Sequence, residues 1–189
     1  MTKPPDWLSR LRKTPLRTRR LVIRPLRRGD DRAIYPAVRE SIEQLMFWMP
    51  WATPGYKRAD TKRFVRDAIR AFAKGDDYSL VMFTRGGEFV GGTGFHQRGT
   101  RDAPYLEIGY WCRTPLAGRG YATESVRALI RLALRKDRTH RIEIRCDPRN
   151  RASQRVIEKA GLRKEGHLRK VALDTRGNLR DLLVYAKLR

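Results

Sequence analysis

One segment of the chain joins a strand-like run, a glycine-containing turn and the start of a helix. Residues 105–112 are β-rich, the turn after them holds Pro115, Gly118 and Gly120, and an amphipathic helix is predicted from about 121 to 136. At the start of such a helix the first N–H groups lack partners within the helix, and the helix dipole adds partial positive charge. Because glycine lets the backbone approach an anion closely, the segment predicts a phosphate site. A turn that only connects the strand to the helix is the alternative.

The net charge of the chain is unusual. Its 189 residues include 43 lysines and arginines against 20 aspartates and glutamates, which gives a formal net charge of +23. A surface of this kind attracts nucleotides, nucleic acid and acidic proteins. The plainer explanation is an arginine-rich composition on solvated faces, because the arginines occur along the whole chain. The charge therefore bears on partners and leaves the fold open.

Length, cysteines and histidines narrow the class of protein. The length fits one domain with a substantial core. No apolar run approaches the roughly 20 residues that span a bilayer, and the N-terminus lacks the apolar stretch of a signal peptide. Cys112 and Cys146 form no CxxC motif, and His96, His140 and His167 lack metal-ligand spacing. We expect a cytoplasmic protein with no membrane partner and no metal, in which the histidines are structural or solvated.

Hydrophobic periodicity predicts the order β-α-α-β-β-β-α-β-α-β-β. The strands are expected over residues 20–27, 78–84, 88–97, 105–112, 141–146, 162–169 and 181–187. The helices are expected over about 31–42, 60–74, 121–136 and 152–160. Residues 1–17 are expected to form a partly ordered basic lead-in, and residues 18–189 one α/β domain with a mixed sheet.

Several motifs, taken in order, resemble the GNAT superfamily of acyl-CoA N-acyltransferases, specifically its RimJ/RimL-like branch. The matching segments are TRRLVIRPL (18–26), FWMPWA (47–52), EIGYW (107–111), GRGYATE (118–124), NRAS (150–153) and IEKAGL (157–162). They are similar to the branch's first strand, its Trp-x-Pro-Trp element, the pantetheine strand, the pyrophosphate loop and the Asn-x-x-Ser helix with its end. The resemblance covers about residues 18–188.

The resemblance implies a fold and a cofactor. The fold is a single GNAT domain, whose mixed, largely antiparallel sheet of about seven strands is splayed in the middle and flanked by about four helices. The cofactor is acetyl-CoA, with coenzyme A as product and no metal. Its pyrophosphate would lie on the N–H groups of residues 117–122, and its pantetheine arm beside residues 107–111. The implied cofactor-binding residues are Ile108, Gly109, Tyr110, Trp111, Arg113, Ala117, Gly118, Arg119, Gly120, Tyr121, Ala122, Asn150 and Ser153.

One departure from the superfamily concerns a charge at the pyrophosphate loop. The wider superfamily often has Gln or Arg three residues before the first motif glycine, where this chain has Pro115. We expect the nearby Arg113 to supply that charge. The backbone part of the phosphate site is independent of this substitution.

Direct attack of an amine on the thioester is the implied reaction, with two residues for proton transfer. Glu107 would receive the amine's proton, directly or through a water, and Ser153 would donate to the leaving sulfur. Alternatively, Glu107 is a surface carboxylate paired with an arginine, and Ser153 is a first-turn residue that stabilises the N-terminus of its own helix. Tyr110 and Tyr121 are further candidate acids that also suit packing. Phe47, Trp48 and Trp51 are expected to line the acceptor cleft with Glu107, or to form a buried aromatic cluster.

Proton equilibria favour one class of acceptor. A protein α-amine has a pKa of about 7.7–8.0 and a lysine a pKa of about 10.4, so near pH 7 a far larger fraction of the α-amine is unprotonated. We therefore expect N-terminal acetylation, the activity for which this branch is known with ribosomal proteins, and an acidic or ribosomal protein as partner. The alternatives are a small amine, an antibiotic, an aminoacyl-tRNA, or a non-catalytic protein that binds acyl-CoA or RNA. Nonspecific contact with polyanions and a monomer or homodimer are both compatible with the sequence.

Overall fold

The computed structural model describes residues 6–100, 103–135 and 139–189. The strands are β1 (Leu16–Arg17), β2 (Leu21–Pro25), β3 (Tyr78–Thr84), β4 (Phe89–Gly99), β5 (Pro104–Cys112), β6 (Arg141–Cys146), β7 (Arg163–Leu173) and β8 (Leu179–Leu188). The helices are α1 (Asp6–Ser9), α2 (Asp31–Glu40), α3 (Ile42–Met46), α4 (Arg58–Lys74), α5 (Tyr121–Ala133) and α6 (Arg151–Lys159). Short 3₁₀ turns occupy Arg10–Arg12 and Thr114–Leu116.

All eight strands belong to one sheet with the order β1-β2-β3-β4-β5-β6-β8-β7. The β5–β6 pair is parallel, and the other described neighbours are antiparallel. This parallel contact consists of the pairs Leu106↔Ile142 and Glu107↔Glu143, whereas β5 stays paired with β4 as far as Cys112. The two strands therefore diverge after Glu107. The mixed, largely antiparallel and splayed sheet is confirmed, with one strand more than the expected seven or so.

Helices cover both faces of the sheet. On one face α5 and α6 bury apolar side chains such as Val126, Leu129 and Ile157. On the other face α2 and α4 bury Val38 and Val65 with their neighbours. Each fully buried side chain of this size stabilises the fold by about 1.5–3 kcal/mol. The divergence of β5 and β6 thus lies between two packed layers.

The N-terminal residues pack more tightly than the sequence predicts. Leu8 and Leu11, which belong to the expected partly ordered lead-in, are 0% and 4% exposed and join the core beside α5. A helix of four residues is too short to produce a readable periodicity, so its amphipathic character escapes sequence analysis. Residues 1–5 lie outside the described residues.

The first predicted helix divides into two. α2 ends at Glu40, Ser41 leaves helical geometry with φ −106° and ψ 6°, and α3 begins at Ile42. The buried Ser41 hydroxyl accepts a hydrogen bond from the Thr114 N–H at 3.0 Å. This tertiary contact ties the junction of the two helices to the segment that follows β5.

Other boundaries shift by a few residues. α5 ends at Ala133, while the predicted end, Lys136, lies outside the described residues. Both tail strands are longer than predicted because β7 and β8 pair along most of their length. Within the described ranges, no helix combines the length and the apolar content needed to cross a bilayer.

Candidate active site

A cleft of about 1110 Å³ lies where β5 and β6 diverge. Its walls come from strands β3, β4, β5, β6 and β8, from helices α2 and α4, from the start of α6, from the loop before α5, and from α3 with the segment that follows it. The residues predicted for the site that line it are Trp48, Trp51, Glu107, Ile108, Gly109, Tyr110, Trp111, Ala117, Gly118, Gly120, Tyr121, Ala122, Asn150 and Ser153. Three residues of the prediction do not line it, namely Phe47, Arg113 and Arg119.

Free backbone N–H groups form one end of the cleft. Gly118 and Gly120 have φ values of +76° and +81°, a left-handed geometry that favours glycine. Within the described part of the chain, the N–H groups of residues 118–123 have no hydrogen-bond acceptor in the protein, whereas the Glu124 N–H donates to the Gly120 carbonyl at 3.0 Å. The loop therefore offers consecutive donors at the start of α5, as a phosphate site requires.

Ala117 requires a correction at this loop. Its N–H donates to the Thr114 carbonyl at 3.1 Å and closes the 3₁₀ turn. The predicted phosphate-binding amides, 117–122, therefore shift by one residue, because the first of them is already used inside the protein.

Side chains from the start of β2 hold the loop in place. Glu124 accepts hydrogen bonds from the Thr18 hydroxyl at 2.6 Å and from the backbone N–H and Nε of Arg20 at 2.9 and 2.6 Å. Arg20 also donates to the Arg119 carbonyl at 2.9 Å and lies 4.5 Å from the ring centre of Tyr121. Burial raises the pKa of Glu124, but the hydrogen bonds from Thr18 and Arg20 outweigh it and hold the pKa below its usual value. The network fixes the loop that carries the free amides.

The two arginines predicted at the loop do not direct charge into the cleft. Arg113 pairs with Glu40 at 2.7 Å and Glu88 at 3.1 Å, and it donates to the Phe89 carbonyl at 3.1 Å. Its guanidinium joins the end of α2 to the start of β4, and Arg113 does not line the cleft. The side chain of Arg119 is exposed, and only its N–H belongs to the free loop amides.

Tyr110 and Ser153 meet across the divergence of the strands. The Tyr110 hydroxyl lies 2.8 Å from Ser153 Oγ and 3.3 Å from the Ser153 carbonyl oxygen. The Ser153 N–H donates to Asn150 Oδ1 at 3.0 Å, so Asn150 caps α6. Burial raises the pKa of Tyr110, although the hydrogen bond to Ser153 opposes that rise. Two hydroxyl groups, those of Tyr110 and Ser153, are thus available in the cleft.

Neither cysteine is activated. Burial raises the pKa of Cys112 to about 11, against the opposing charge of Arg113. Burial also raises the pKa of Cys146 to about 11, although a hydrogen bond to Ser153 opposes it. Both thiols stay protonated at neutral pH, so the structure favours direct attack over an acyl-cysteine route.

Glu107 lies in the cleft within an arginine pair. Its Oε2 accepts a hydrogen bond from Arg98 Nε at 2.8 Å and lies 4.0 Å from Arg145 Nε. The alternative role that the sequence allowed, a carboxylate paired with arginine, is therefore present in the structure. Glu107 also lines the cleft, at the point where β5 starts to diverge from β6.

The aromatic segment lines the cleft only in part. Trp48 and Trp51 line it, and Trp51 packs against Trp111 with ring centres 6.1 Å apart. Phe47 is 63% exposed and does not line the cleft, so its predicted role in acceptor binding has no support in this geometry. The other predicted role, an aromatic cluster, holds at the same time, because Trp111 also packs on Phe89 at 5.7 Å.

Sequence analysis missed an imidazole at the cleft. His96 lines the cleft, and its Nδ1 is hydrogen-bonded to Asp77 Oδ2. His96 lies opposite Glu107 in the β4–β5 register. The sequence signal that could have found this pair is the hairpin turn at residues 85–87. The turn sets a strand register in which Tyr78 pairs with Phe95, so their neighbours Asp77 and His96 lie close together.

Among the described residues, no group of three or more histidines, cysteines or carboxylates is arranged to hold a metal ion. The chemistry of the cleft therefore has to be sought in hydroxyl, carboxylate, imidazole and backbone groups.

Comparisons with known proteins agree with this geometry. The probable N-acetyltransferase YjcK of Bacillus subtilis (strain 168) is 30% identical over 161 residues, which cover 82% of this chain and 87% of that protein. A structure of RimL, the ribosomal L7/L12 alpha-N-protein acetyltransferase in complex with coenzyme A, is 22% identical with a TM-score of 0.82, covering 92% of this chain and 96% of the other. The microcin C7 self-immunity acetyltransferase MccE, in complex with acetyl-CoA and AMP, is 18% identical with a TM-score of 0.84, covering 91% and 94%.

At such identities the two structures establish the fold alone. Residues 20–163 match the family described as Acetyltransferase (GNAT) domain. Together with the similarity to YjcK, this match confirms the family expected from the motifs. The chain belongs to the GNAT family of acetyltransferases.

Proposed function

We propose that this protein transfers an acetyl group from acetyl-CoA to a primary amine, and that the amine is the N-terminal α-amine of a protein. The observation that carries the first part is the run of free N–H groups over residues 118–123, placed at the end of a cleft between two diverging strands. A pyrophosphate carries the charge that such a run of donors binds.

The remaining cofactor contacts follow from the divergence of β5. Beyond Glu107 this strand has no partner on its β6 side within the described residues. Within residues 108–111, the backbone groups that are directed away from β4 are therefore available to pair with the amides of a pantetheine arm. Ile108 is 1% exposed, so it contributes through its backbone only. When bound, acetyl-CoA supplies the acetyl group as a thioester.

Residues at the reacting centre have distinct roles in this proposal. Ser153, which is hydrogen-bonded to Tyr110, donates the proton that the leaving sulfur gains. Asn150 holds the first turn of α6 and with it the position of Ser153. Glu107 gives the acceptor side a carboxylate that attracts an ammonium group.

The choice of an α-amine rests on proton equilibria and on the acceptor side of the cleft. An α-amine reaches its neutral, reactive form at a pH about 2.5 units below that of a lysine. Trp48 and Trp51 provide flat apolar walls for the residues that follow an N-terminus. RimL acts on a ribosomal protein's N-terminus, but its TM-score is close to that of MccE, so the fold does not separate the two substrate classes.

Two measurements test the proposal. Acetyl-CoA at saturating concentration is expected to raise the melting temperature through ligand linkage, and no shift would overturn cofactor binding. Thiol release is then followed with peptides that carry a free N-terminus and no lysine. The same peptides with a blocked N-terminus and one internal lysine are the matched control.

The expected result is thiol release with free N-termini and little with blocked ones. Polyamines, aminoglycosides and aminoacyl-tRNA complete the panel. Release with one of these and none with free peptides would overturn the α-amine assignment and leave the acetyltransferase in place.

A further inference from the structure

Resting on this proposed function, we propose that His96 is the proton acceptor for the attacking amine and that Asp77 positions it. The pair joins two neighbouring strands, because Asp77 directly precedes β3 and His96 lies in β4. Asp77 is fixed from a second side, since its Oδ1 accepts a hydrogen bond from the Ser79 hydroxyl at 2.7 Å. The imidazole is therefore held by one nitrogen, Nδ1, in a defined orientation.

The other ring nitrogen faces the place where β5 starts to diverge from β6. A Cβ added at Gly109 would lie 2.9 Å from His96 Nε2, so the absence of a side chain there makes room for the ring edge. Within the described residues, no protein group hydrogen-bonds to Nε2. The His96 side chain is 33% exposed and lines the cleft, so the ring is reachable from there.

Glu107 and His96 divide two tasks between them. Glu107 accepts a hydrogen bond from Arg98, and Arg145 lies close to the same carboxylate oxygen. The part of Glu107 in the proposal is therefore to attract a cation and not to take a proton. His96 retains a nitrogen that is free to take a proton. An amine attracted by Glu107 would meet Nε2 on the same side of the sheet, since Glu107 and His96 are direct neighbours across the strands.

The surroundings set the charge state of the imidazole. The hydrogen bond to Asp77 raises the pKa of His96 above its usual value, desolvation opposes the rise, and the charges of Glu107 and Arg98 act in opposite directions. Further charged residues on the cleft walls are Arg145 from β6, Asp60, Arg63 and Asp67 from α4, Asp147 after β6, Arg155 and Lys159 from α6, and Arg180 from β8. Above its pKa the ring is neutral and accepts a proton, so activity should rise as pH increases through that value.

Two protons leave the acceptor nitrogen during the proposed transfer. The acceptor enters as an ammonium ion, and His96 takes one proton at Nε2 and later releases it to solvent. The freed lone pair forms the C–N bond to the acetyl carbon, while the C–S bond breaks with its electrons on sulfur. The second amine proton ends on that sulfur, so the products are the amide, the coenzyme A thiol and one released proton.

A second His–Asp pair provides a matched control. His167 Nε2 lies 2.7 Å from Asp181 Oδ2 on the β7–β8 hairpin, and neither residue lines the cleft. The variants to compare are His96→Gln and Asp77→Asn with His167→Gln and Asp181→Asn. The readouts are kcat as a function of pH, the Kd for acetyl-CoA and the melting temperature.

His96→Gln should lower kcat by about 100-fold or more, in the range of general acid–base catalysis, and leave the Kd for acetyl-CoA within about twofold. Asp77→Asn should move the acidic limb of the kcat profile down towards about pH 6.5, the value of an unperturbed histidine. Both control variants should keep the wild-type kcat and its pH profile. With an N-terminal aminooxyacetyl peptide, which is neutral at neutral pH, the defect of His96→Gln should largely disappear.

A wild-type pH profile in Asp77→Asn, or unchanged kcat in folded His96→Gln, would overturn the assignment while the acetyltransferase function stands. A defect of His96→Gln that is equally large with the aminooxy peptide would also overturn it, because a structural defect does not depend on the acceptor's charge. Wild-type protein that releases no thiol with any acceptor would instead overturn the proposed function itself.

Discussion

The two ends of the cleft are built in opposite ways. At the loop before α5, the donors for an anion come from consecutive residues, 118–123, and from the backbone alone. At the proposed acceptor end, the groups available are side chains that come from separate elements, namely His96 with its partner Asp77, Glu107 and Trp48. The first end depends on local backbone conformation, whereas the second depends on strand register and packing.

Charge is also used differently at the two ends. Near the loop, Arg20 and Arg113 are neutralised by Glu124, Glu40 and Glu88, so free amides rather than free guanidinium groups face the cleft. At the acceptor end, Glu107 lies between two arginines. Among the residues that the structure describes, the high net charge therefore does not give a cluster of unpaired arginines at the proposed phosphate site.

Replacing Gly120 should have the largest effect. In Gly120→Trp a Cβ would lie 3.4 Å from Arg20 Nη2, and the left-handed φ of +81° is strained for a tryptophan. Displacing the free amides removes several hydrogen bonds to a charged group, each contributing about 1.5–3 kcal/mol. We expect the Kd for acetyl-CoA, measured by calorimetry, to rise by at least about 100-fold.

Gly177→Trp is the matched control for that loss. Gly177 has a similar φ of +82° with nothing within 4 Å of an added Cβ, and it lies in the β7–β8 turn. Its substitution carries the same backbone strain away from the cleft, so the Kd should stay near the wild-type value. If both variants lost affinity equally, the loop would have no special part in cofactor binding.

Ser153→Ala probes the side-chain chemistry and should have an intermediate effect. We expect kcat to fall by about 10- to 100-fold, which is at or below the lower limit of about 100-fold for general acid–base catalysis, because a thiolate already leaves readily. The Kd for acetyl-CoA should change little, since the Asn150 cap uses the Ser153 backbone N–H and not its hydroxyl. Single-turnover kinetics and calorimetry separate the two quantities.

Normal turnover in Ser153→Ala would show that the serine is only a first-turn helix residue. Tyr110→Phe distinguishes the two hydroxyls, because Tyr110 is the partner of Ser153 at 2.8 Å. A larger loss in Tyr110→Phe than in Ser153→Ala would make the tyrosine the proton donor.

The contrast between the two ends explains what the sequence could predict. The strands β3 and β6, the end of α4 before Gly75 and the glycine turn all follow from local patterns, and the structure has them where they were expected. Local patterns cannot show which acceptors satisfy a nearby arginine. Arg113 was therefore expected at the phosphate, although Glu40 and Glu88 bind it.

His96 illustrates the same limit at the acceptor end. Its sequence neighbours gave no metal or catalytic spacing, and its partner Asp77 lies 19 residues away. Only the register of β3 and β4 brings the two together, and only the glycine at position 109 opens the space in front of the ring. Phe47 shows the reverse case, in which an aromatic motif suggested a cleft wall but one of its rings faces solvent.

Glu124→Gln tests how far the free backbone amides of the loop depend on a side chain, because Glu124 holds that loop through Thr18 and Arg20. The substitution keeps the shape but weakens the hydrogen bonds from Arg20 and Thr18. At neutral pH we expect the free energy of unfolding to fall by about 1 kcal/mol, discounted for the exposure of Arg20. The Kd for acetyl-CoA should rise by only about 3- to 10-fold, since the amides themselves remain and each tenfold step is about 1.4 kcal/mol.

The pH dependence of this effect identifies its cause. The pKa of Glu124 is lower in the folded protein than in the unfolded chain, so its stabilisation is complete above the unfolded pKa of about 4.3 and is lost as pH falls through the folded pKa. The difference in unfolding free energy between wild type and Glu124→Gln should therefore shrink from pH 7 to pH 3 in urea titrations. A difference that stays constant over this range would mean that the carboxylate charge does not hold the loop, and that the loop's conformation is set by the backbone alone.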